Sequence, residues 1–312
     1  MTTLLVASTG GHLAQLHELR PRLRGIDPDV AWVTFDTPQS RALLAGERVT
    51  FVRHTATRDY RSVVGNTRSA ARLLRGGVTG VVSTGAGVAL SFLPLAAARG
   101  LPCHYIESAT RAVGPSATGR LLQRIPAIAL YAQHRRWADG RWHHAGSVFD
   151  GYTLRGIGRP QLSRVVVTLG AHEMFGFRAL VERLVEVMPE GVDVLWQTGA
   201  TDVSGLPIDA WPFVDGGELK QAIAEADVVV AHAGIGSALG AFQAGRRPIL
   251  VPRDPARGEH VDDHQLQVAE ALDEQGLAII RQVEDLVLTD LLLAASTRVV
   301  RNDQPPPFQL RG

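Results

Sequence analysis

The chain has 312 residues, 45% hydrophobic and 20% charged, the balance of a soluble globular protein with room for two domains. Its one cysteine, Cys103, excludes an internal disulfide and a cysteine-based metal site, and fits a reducing cytoplasm. The net charge of +1 hides a divide: residues 1–155 hold 19 Arg against 9 Asp and Glu, or +10, whereas residues 156–312 hold 12 Arg and 1 Lys against 22 acidic residues, or −9.

A cationic half facing an anionic partner is the reading this asymmetry invites. The start, "MTTLLVASTGGH", has no basic region followed by a long apolar run, so no signal peptide is expected. The longest apolar stretch, "VALSFLPLAAA" (88–98), is too short to span a bilayer, which takes about 20 residues.

The first half alternates strand and helix signals. "TLLVAS" (3–8) reads as a strand, and "HLAQLHELRPRL" (12–23) sets Leu13, Leu16 and Leu19 at helical spacing. "DVAWVTF" (29–35) and "RVTFVR" (48–53) read as strands, and "YRSVVGNTRSAARLLR" (60–75) as a basic helix. "GVVSTGAGVALSFLPLAAARG" (80–100) is strand, glycine-rich turn, helix, and "PCHYIES" (102–108) is the next strand. A domain is expected over 1–155, with a Gly-rich linker over 156–163 and a second domain over 164–312.

The alternation then restarts. "RVVVTLG" (164–170), "DVLWQTG" (193–199), "DVVVAH" (227–232) and "RPILVPR" (247–253) read as strands. "FRALVERLVEVM" (177–188), "ELKQAIAEA" (218–226), "GSALGAFQAG" (236–245), "VDDHQLQVAEALDEQG" (261–276) and "VEDLVLTDLLLAASTRVV" (283–300) read as helices, and the Pro-rich tail as non-helical. Two α/β halves with parallel sheets follow. Ligands collect beyond the carboxyl ends of such strands, so loops facing each other would form a cleft.

The chemistry-bearing motifs fall at those ends. In "STGGH", Gly10 and Gly11 allow close backbone approach, and His12 opens a helix whose N-terminus favours the neutral imidazole, as a general base needs. "STGAG" offers Thr84 and Gly85 at a helix start, and "IESATR" offers Glu107, Ser108 and Arg111, which a structural Glu–Arg pair explains equally well. "WQTG" ends a strand with Gln197, Thr198 and Gly199, able to hydrogen-bond a base or phosphate. "HAGIGS" places His232, Ala233, Gly234, Gly236 and Ser237 at a helix N-terminus, a ready anion site. "GEHVDDHQ" gathers Glu259, His260, Asp263, His264 and Gln265. Neighbours on one helical turn diverge, so this set suits the hydroxyls of a sugar better than a metal ion. No metal and no cofactor are expected.

Taken in order, these motifs resemble the family 28 GT-B glycosyltransferases. "TLGAHE", "WQTG", "ADVVVAHAGIGS", "AGRRPILVPR" and "GEHVDDHQ" look like the donor domain of the exopolysaccharide PssE type. "STGGHLAQL", "TFDTPQSRALL", "VVSTGAGVAL" and "YIESATRAVGPSATGRLL" look like its partner type, PssD, here fused as in MurG. The partner type is also similar to the recruiting subunit of the dolichol-linked GlcNAc transferase. The resemblance implies two Rossmann-like domains facing a cleft. It implies a UDP-sugar held through Gln197, Thr198 and Gly199 at the nucleotide, His232, Gly234, Gly236 and Ser237 at the diphosphate, and His264 and Gln265 at the sugar. Acceptor binding falls to the first domain, with His12 as base and inversion at the anomeric carbon. The acceptor implied is a lipid-linked saccharide reached by peripheral contact with an anionic membrane at its cytoplasmic face. Nucleic acid is not expected, because no basic motif interleaved with aromatics occurs.

One departure is Gly240, where many family members carry a ribose-binding glutamate. The alternatives are a soluble natural-product transferase with a small aglycone acceptor, a UDP-sugar 2-epimerase on the same fold, and a non-catalytic nucleotide-sugar-binding homologue.

Overall fold

The computed structural model describes residues 1–55, 60–170, 175–253 and 264–311, with the backbone alone for 60, 61, 264, 265, 267, 268 and 271. The chain divides into two compact units, Met1–Asp150 with Pro305–Gly312, and Gly151–Gln304.

The first unit runs β1 (Thr2–Ala7), α1 (Gly11–Leu19), β2 (Leu23–Arg24), β3 (Val30–Phe35), α2 (Pro38–Leu43), β4 (Val49–Val52), α3 (Tyr60–Leu73), β5 (Val78–Gly85), α4 (Ala89–Ala97), β6 (Cys103–Ile106), α5 (Ala117–Leu122), β7 (Ile128–Ala132) and β8 (Trp142–His144). Seven strands form one parallel sheet in the order β4-β3-β1-β5-β6-β7-β8. Its strands are apolar on both faces because helices cover both. Leu5, Val6, Val81, Val82, Leu130 and Tyr131 are sealed from solvent. α1 ends where Pro21 enters a short 3-10 turn, Arg20–Arg22.

The second unit runs β9 (Tyr152–Gly156), β10 (Arg164–Thr168), α6 (Arg178–Val187), β11 (Asp193–Gln197), β12 (Ala210–Trp211), α7 (Gly216–Glu225), β13 (Val228–His232), α8 (Ile235–Gln243), β14 (Ile249–Val251), α9 (His264–Glu274), β15 (Ile279–Ile280), α10 (Leu288–Ala295) and β16 (Thr297–Arg301). Its parallel sheet has the order β12-β11-β10-β13-β14-β15. The valine runs 165–167 and 228–230 lie fully buried in its centre.

Two boundaries differ from expectation. The segment 283–300 is not one helix: α10 stops at Ala295 and β-branched residues Thr297, Val299 and Val300 form β16, antiparallel to β9. That pairing places Tyr152–Gly156 in the second unit, ahead of the expected linker.

The last residues differ too. β17 (Phe308–Gln309) pairs with β2, so the tail belongs to the first unit and not to a domain ending at 312. Phe308 and Leu310 are buried there. Arg22, itself buried, donates to Pro306 O at 3.0 Å and Ser147 O at 2.6 Å and pairs with Asp150 at 3.2 Å.

Candidate functional site

In the first unit, the expected residues converge at the carboxyl ends of β1, β5 and β6. His12 is the second residue of α1, and its Nδ1 lies 2.6 Å from the carbonyl oxygen of Thr84. A carbonyl only accepts, so Nδ1 carries the proton and Nε2 presents a lone pair. Thr84 Oγ1 donates back to His12 O at 2.8 Å, locking the two segments together. Gly85 makes the fit possible: it sits at φ +105°, and a Cβ there would stand 3.1 Å from His12 Cε1. Burial pulls the His12 pKa below 6.5, against the opposing pulls of the Thr84 carbonyl and the Glu107 charge. Arg111 lowers it further through its positive charge. The imidazole is therefore neutral at pH 7.

Gly10, the residue before α1, sits at φ +83°. Its N–H donates to Gln39 Oε1 at 2.6 Å, and Gln39 Nε2 donates to Gly10 O at 3.3 Å. Gly11 opens α1 and carries no side chain that would crowd its N-terminus.

Glu107 is fully buried. Its Oε1 accepts from Tyr105 Oη at 3.0 Å and Ser108 N at 3.1 Å, and its Oε2 from Ser116 N at 2.8 Å. Gly119 leaves the space its carboxylate occupies. No ion pair joins Glu107 to Arg111 among the described residues; the carboxylate instead holds the 107–116 loop in place. Ser108 is buried and accepts from Gln15 Nε2 at 2.9 Å. Arg111 is half-buried, and its positive charge acts on His12.

Sequence reading missed the network beneath. Gln15 Oε1 accepts from Ala109 N at 2.8 Å and Gln133 Nε2 at 3.1 Å, and Gln133 donates to Glu107 O at 2.9 Å. Two buried glutamines with every group paired fix the loop that carries Ser108 and Arg111.

In the second unit, His232 ends β13, and Gly170 and Gly234 flank its ring. A Cβ on Gly234 would come within 2.6 Å of His232 Nε2, and one on Gly170 within 3.0 Å of Cε1. Ala233 is buried. α8 then starts at Ile235 with no side-chain cap, so the N–H groups of its first turn, at Ile235, Gly236 and Ser237, lack intrahelical partners. Such an end attracts anions. Arg253 lies close by, buried, donating to Leu169 O at 2.9 Å and stacking over Phe177. Gly240 has nothing within 4 Å of an added Cβ, so the face where the family glutamate sits is open.

Gln197 turns its side chain into the sheet and accepts from Thr168 Oγ1. Thr198 N and Gly199 N donate to Trp211 O and Pro212 O at 2.9 and 3.1 Å. These bonds place two exposed aromatic rings, Trp211 and Phe213, beside the turn. Neither was singled out from the sequence; exposed large rings flanking a proline after a short strand were the available signal. Glu259, His260 and Asp263 lie outside the described residues, as do the side chains of His264 and Gln265.

Residues 164–299 match the profile of the glycosyltransferase family 28 C-terminal domain. This stretch is similar to the C-terminal domain of family 28 glycosyltransferases. A curated relative from Cupriavidus necator, "UDP-N-acetylglucosamine--N-acetylmuramyl-(pentapeptide) pyrophosphoryl-undecaprenol N-acetylglucosamine transferase", is 30% identical over 148 residues, 43% of this chain and 40% of its own length. The namesake from Cupriavidus metallidurans is 30% identical over 138 residues, 41% of this chain and 37% of its own. The matches thus span well under half of those relatives. Among solved structures, Acinetobacter baumannii MurG has a TM-score of 0.56 at 20% identity, covering 94% of this chain and 89% of its own. SnogD from Streptomyces nogalater has 0.55 at 18%, covering 95% and 92%. These likenesses establish the GT-B fold.

Proposed function

We propose that the chain is an inverting glycosyltransferase that moves a sugar from a UDP-sugar to an acceptor hydroxyl on a lipid-linked saccharide. The observation that carries the reading is the His12–Thr84 bond, which presents a neutral imidazole lone pair at the carboxyl edge of the first sheet. The relatives named for transfer from UDP-N-acetylglucosamine to a pyrophosphoryl-undecaprenol acceptor support the substrate classes.

The chemistry follows from charge. His12 Nε2 takes the proton of the acceptor hydroxyl as its oxygen bonds to the anomeric carbon. The bond from that carbon to the diphosphate breaks on the opposite face, and UDP leaves with the electron pair. Negative charge grows on the diphosphate, where His232, the open N-terminus of α8 and the Arg253 charge stabilise it. Trp211 and Phe213 offer stacking faces for the base. Gly240 leaves the ribose to other partners. The role of Glu107 and Ser108 is to hold the loop that carries Arg111, whose cation suits an anionic acceptor.

Membrane contact is peripheral in this reading. No helix among the described residues is long and apolar enough to cross a membrane. The first unit exposes Val64 on α3 near Arg68 and Arg72, and Val113 near Arg111, pairing apolar anchors with cations.

The test is UDP release from a panel of UDP-sugars, with and without a polyprenyl-diphosphate saccharide acceptor, and assignment of the product anomer by NMR. Acceptor-dependent release with inverted configuration supports the proposal. Retention would refute inversion; conversion of donor without acceptor would indicate an epimerase; release only with a soluble aglycone would remove the lipid acceptor.

A further inference from the structure

The amino-terminal edge of the first sheet, opposite the edge that carries His12 and Thr84, holds an open pocket of about 270 Å³. It lies between the end of α4 and the starts of β6 and β7. Its walls are largely apolar, with Leu101, Pro102 and Ala129 among them. Two polar groups interrupt them, His104 and Arg311. Neither takes part in the chemistry above.

A relay orients His104. The backbone N–H of Arg311 donates to Tyr131 Oη at 2.8 Å. Tyr131 Oη lies 3.2 Å from His104 Nδ1. A phenol that already accepts one bond satisfies its own proton by donating it to Nδ1, which puts the imidazole proton on Nε2. Burial holds the His104 pKa down to about 4, so the ring is neutral at physiological pH. Nε2 has no protein partner among the described residues and is not among the sealed interior atoms that lack one, so its N–H opens on the cavity that His104 lines. With the ring only 3% exposed, an acceptor reaches this N–H from the side that opens on the pocket. At the rim, the Arg311 guanidinium donates to His143 Nε2 at 2.8 Å through one nitrogen and retains further N–H groups.

We infer that this cavity is a binding site for a small carboxylate with a compact apolar body. The carboxylate accepts from His104 Nε2–H and faces the Arg311 guanidinium; the body packs on Leu101, Pro102 and Ala129. One neutral donor and one cation match a monoanion. A dianion such as phosphate would leave charge uncompensated against apolar walls. The site stands apart from the transferase chemistry, so its test does not depend on the proposed function.

The experiment titrates the full chain, labelled with 15N-histidine, with benzoate, benzyl alcohol and inorganic phosphate. The expected result is saturable benzoate binding at about 1 mM or tighter, with a shift of the His104 Nε2 resonance. Benzyl alcohol and phosphate bind at least about tenfold more weakly, a difference of about 1.4 kcal/mol. Arg311→Gln removes the charge at an exposed rim position, and Ala127→Trp fills the cavity from another exposed position. Each weakens benzoate by about tenfold or more while the resonances of the other histidines stay in place. Benzoate that does not saturate overturns the inference. So does benzoate that binds the wild type and both variants alike, or phosphate or benzyl alcohol that binds as well as benzoate.

Discussion

The imidazole of His12 donates its Nδ1 proton to the carbonyl of Thr84, seventy-two residues away in sequence, across 2.6 Å. That bond joins the start of α1 to the end of β5 and settles which nitrogen can act as base. The pH dependence follows from it. Burial holds the native pKa of His12 below its ordinary 6.5. Protonation therefore removes the base only below that value, and the acid limb of kcat/KM should have its midpoint under pH 6.5. The stability contribution has the matching sign. It is present above 6.5 and is lost as pH falls through the native pKa, because the unfolded chain takes up the proton first. A midpoint above 6.5 would assign the limb to another group.

Glycines around His232 should differ sharply in tolerance. A Cβ at Gly234 would press to within 2.6 Å of His232 Nε2, so Gly234→Ala must displace the ring. The expected cost is about 1–3 kcal/mol of stability and a loss of donor affinity, measured by denaturant titration and by UDP binding. Gly240→Ala meets open space on α8 and should stabilise by roughly 0.5–1 kcal/mol. Equal effects at the two positions would refute the packing argument.

Trp211 is 59% exposed yet borders the Thr198–Gly199 turn. Trp211→Ala should leave stability within about 0.5 kcal/mol. If the ring stacks on the base, UDP affinity falls by about 1–3 kcal/mol, read by calorimetry. Unchanged affinity would remove the ring from the donor site.

The tail is a working part of the first unit. Phe308 is completely buried and packs 5.8 Å from the Tyr131 ring, between centroids. Phe308→Ala should cost about 3–5 kcal/mol. A loss below about 1 kcal/mol in chemical denaturation would show that the segment is dispensable.

Much of this was legible in the sequence because parallel strands covered on both faces need long β-branched runs. Val165–Val167 and Val228–Val230 announced the centre of the second sheet, and Leu13, Leu16 and Leu19 the buried side of α1. The polar motifs fell at strand ends, so His12 in one motif and Thr84 and Gly85 in another were each singled out, and the structure brings them into contact. The failures have physical causes. At 283–300 a helical spacing of leucines ran into β-branched residues whose partner strand, β9, lies some 140 residues earlier. The Pro-rich tail concealed Phe308, which acts through tertiary burial. Gln15 and Gln133 carry no sequence signal of their own, because the partners that bury them are distant in the chain. Glu107, read from the sequence as a ligand group or as half of a Glu–Arg pair, accepts three hydrogen bonds from residues of its own loop and strand, which spacing alone does not show.

The central claim is that His12 deprotonates the acceptor, and single-turnover transfer by His12→Ala against wild type, with UDP-sugar affinity measured in parallel, tests it most directly. The account predicts a loss of about 100-fold or more in the rate of transfer with donor affinity unchanged. Near-normal transfer by the variant would contradict it.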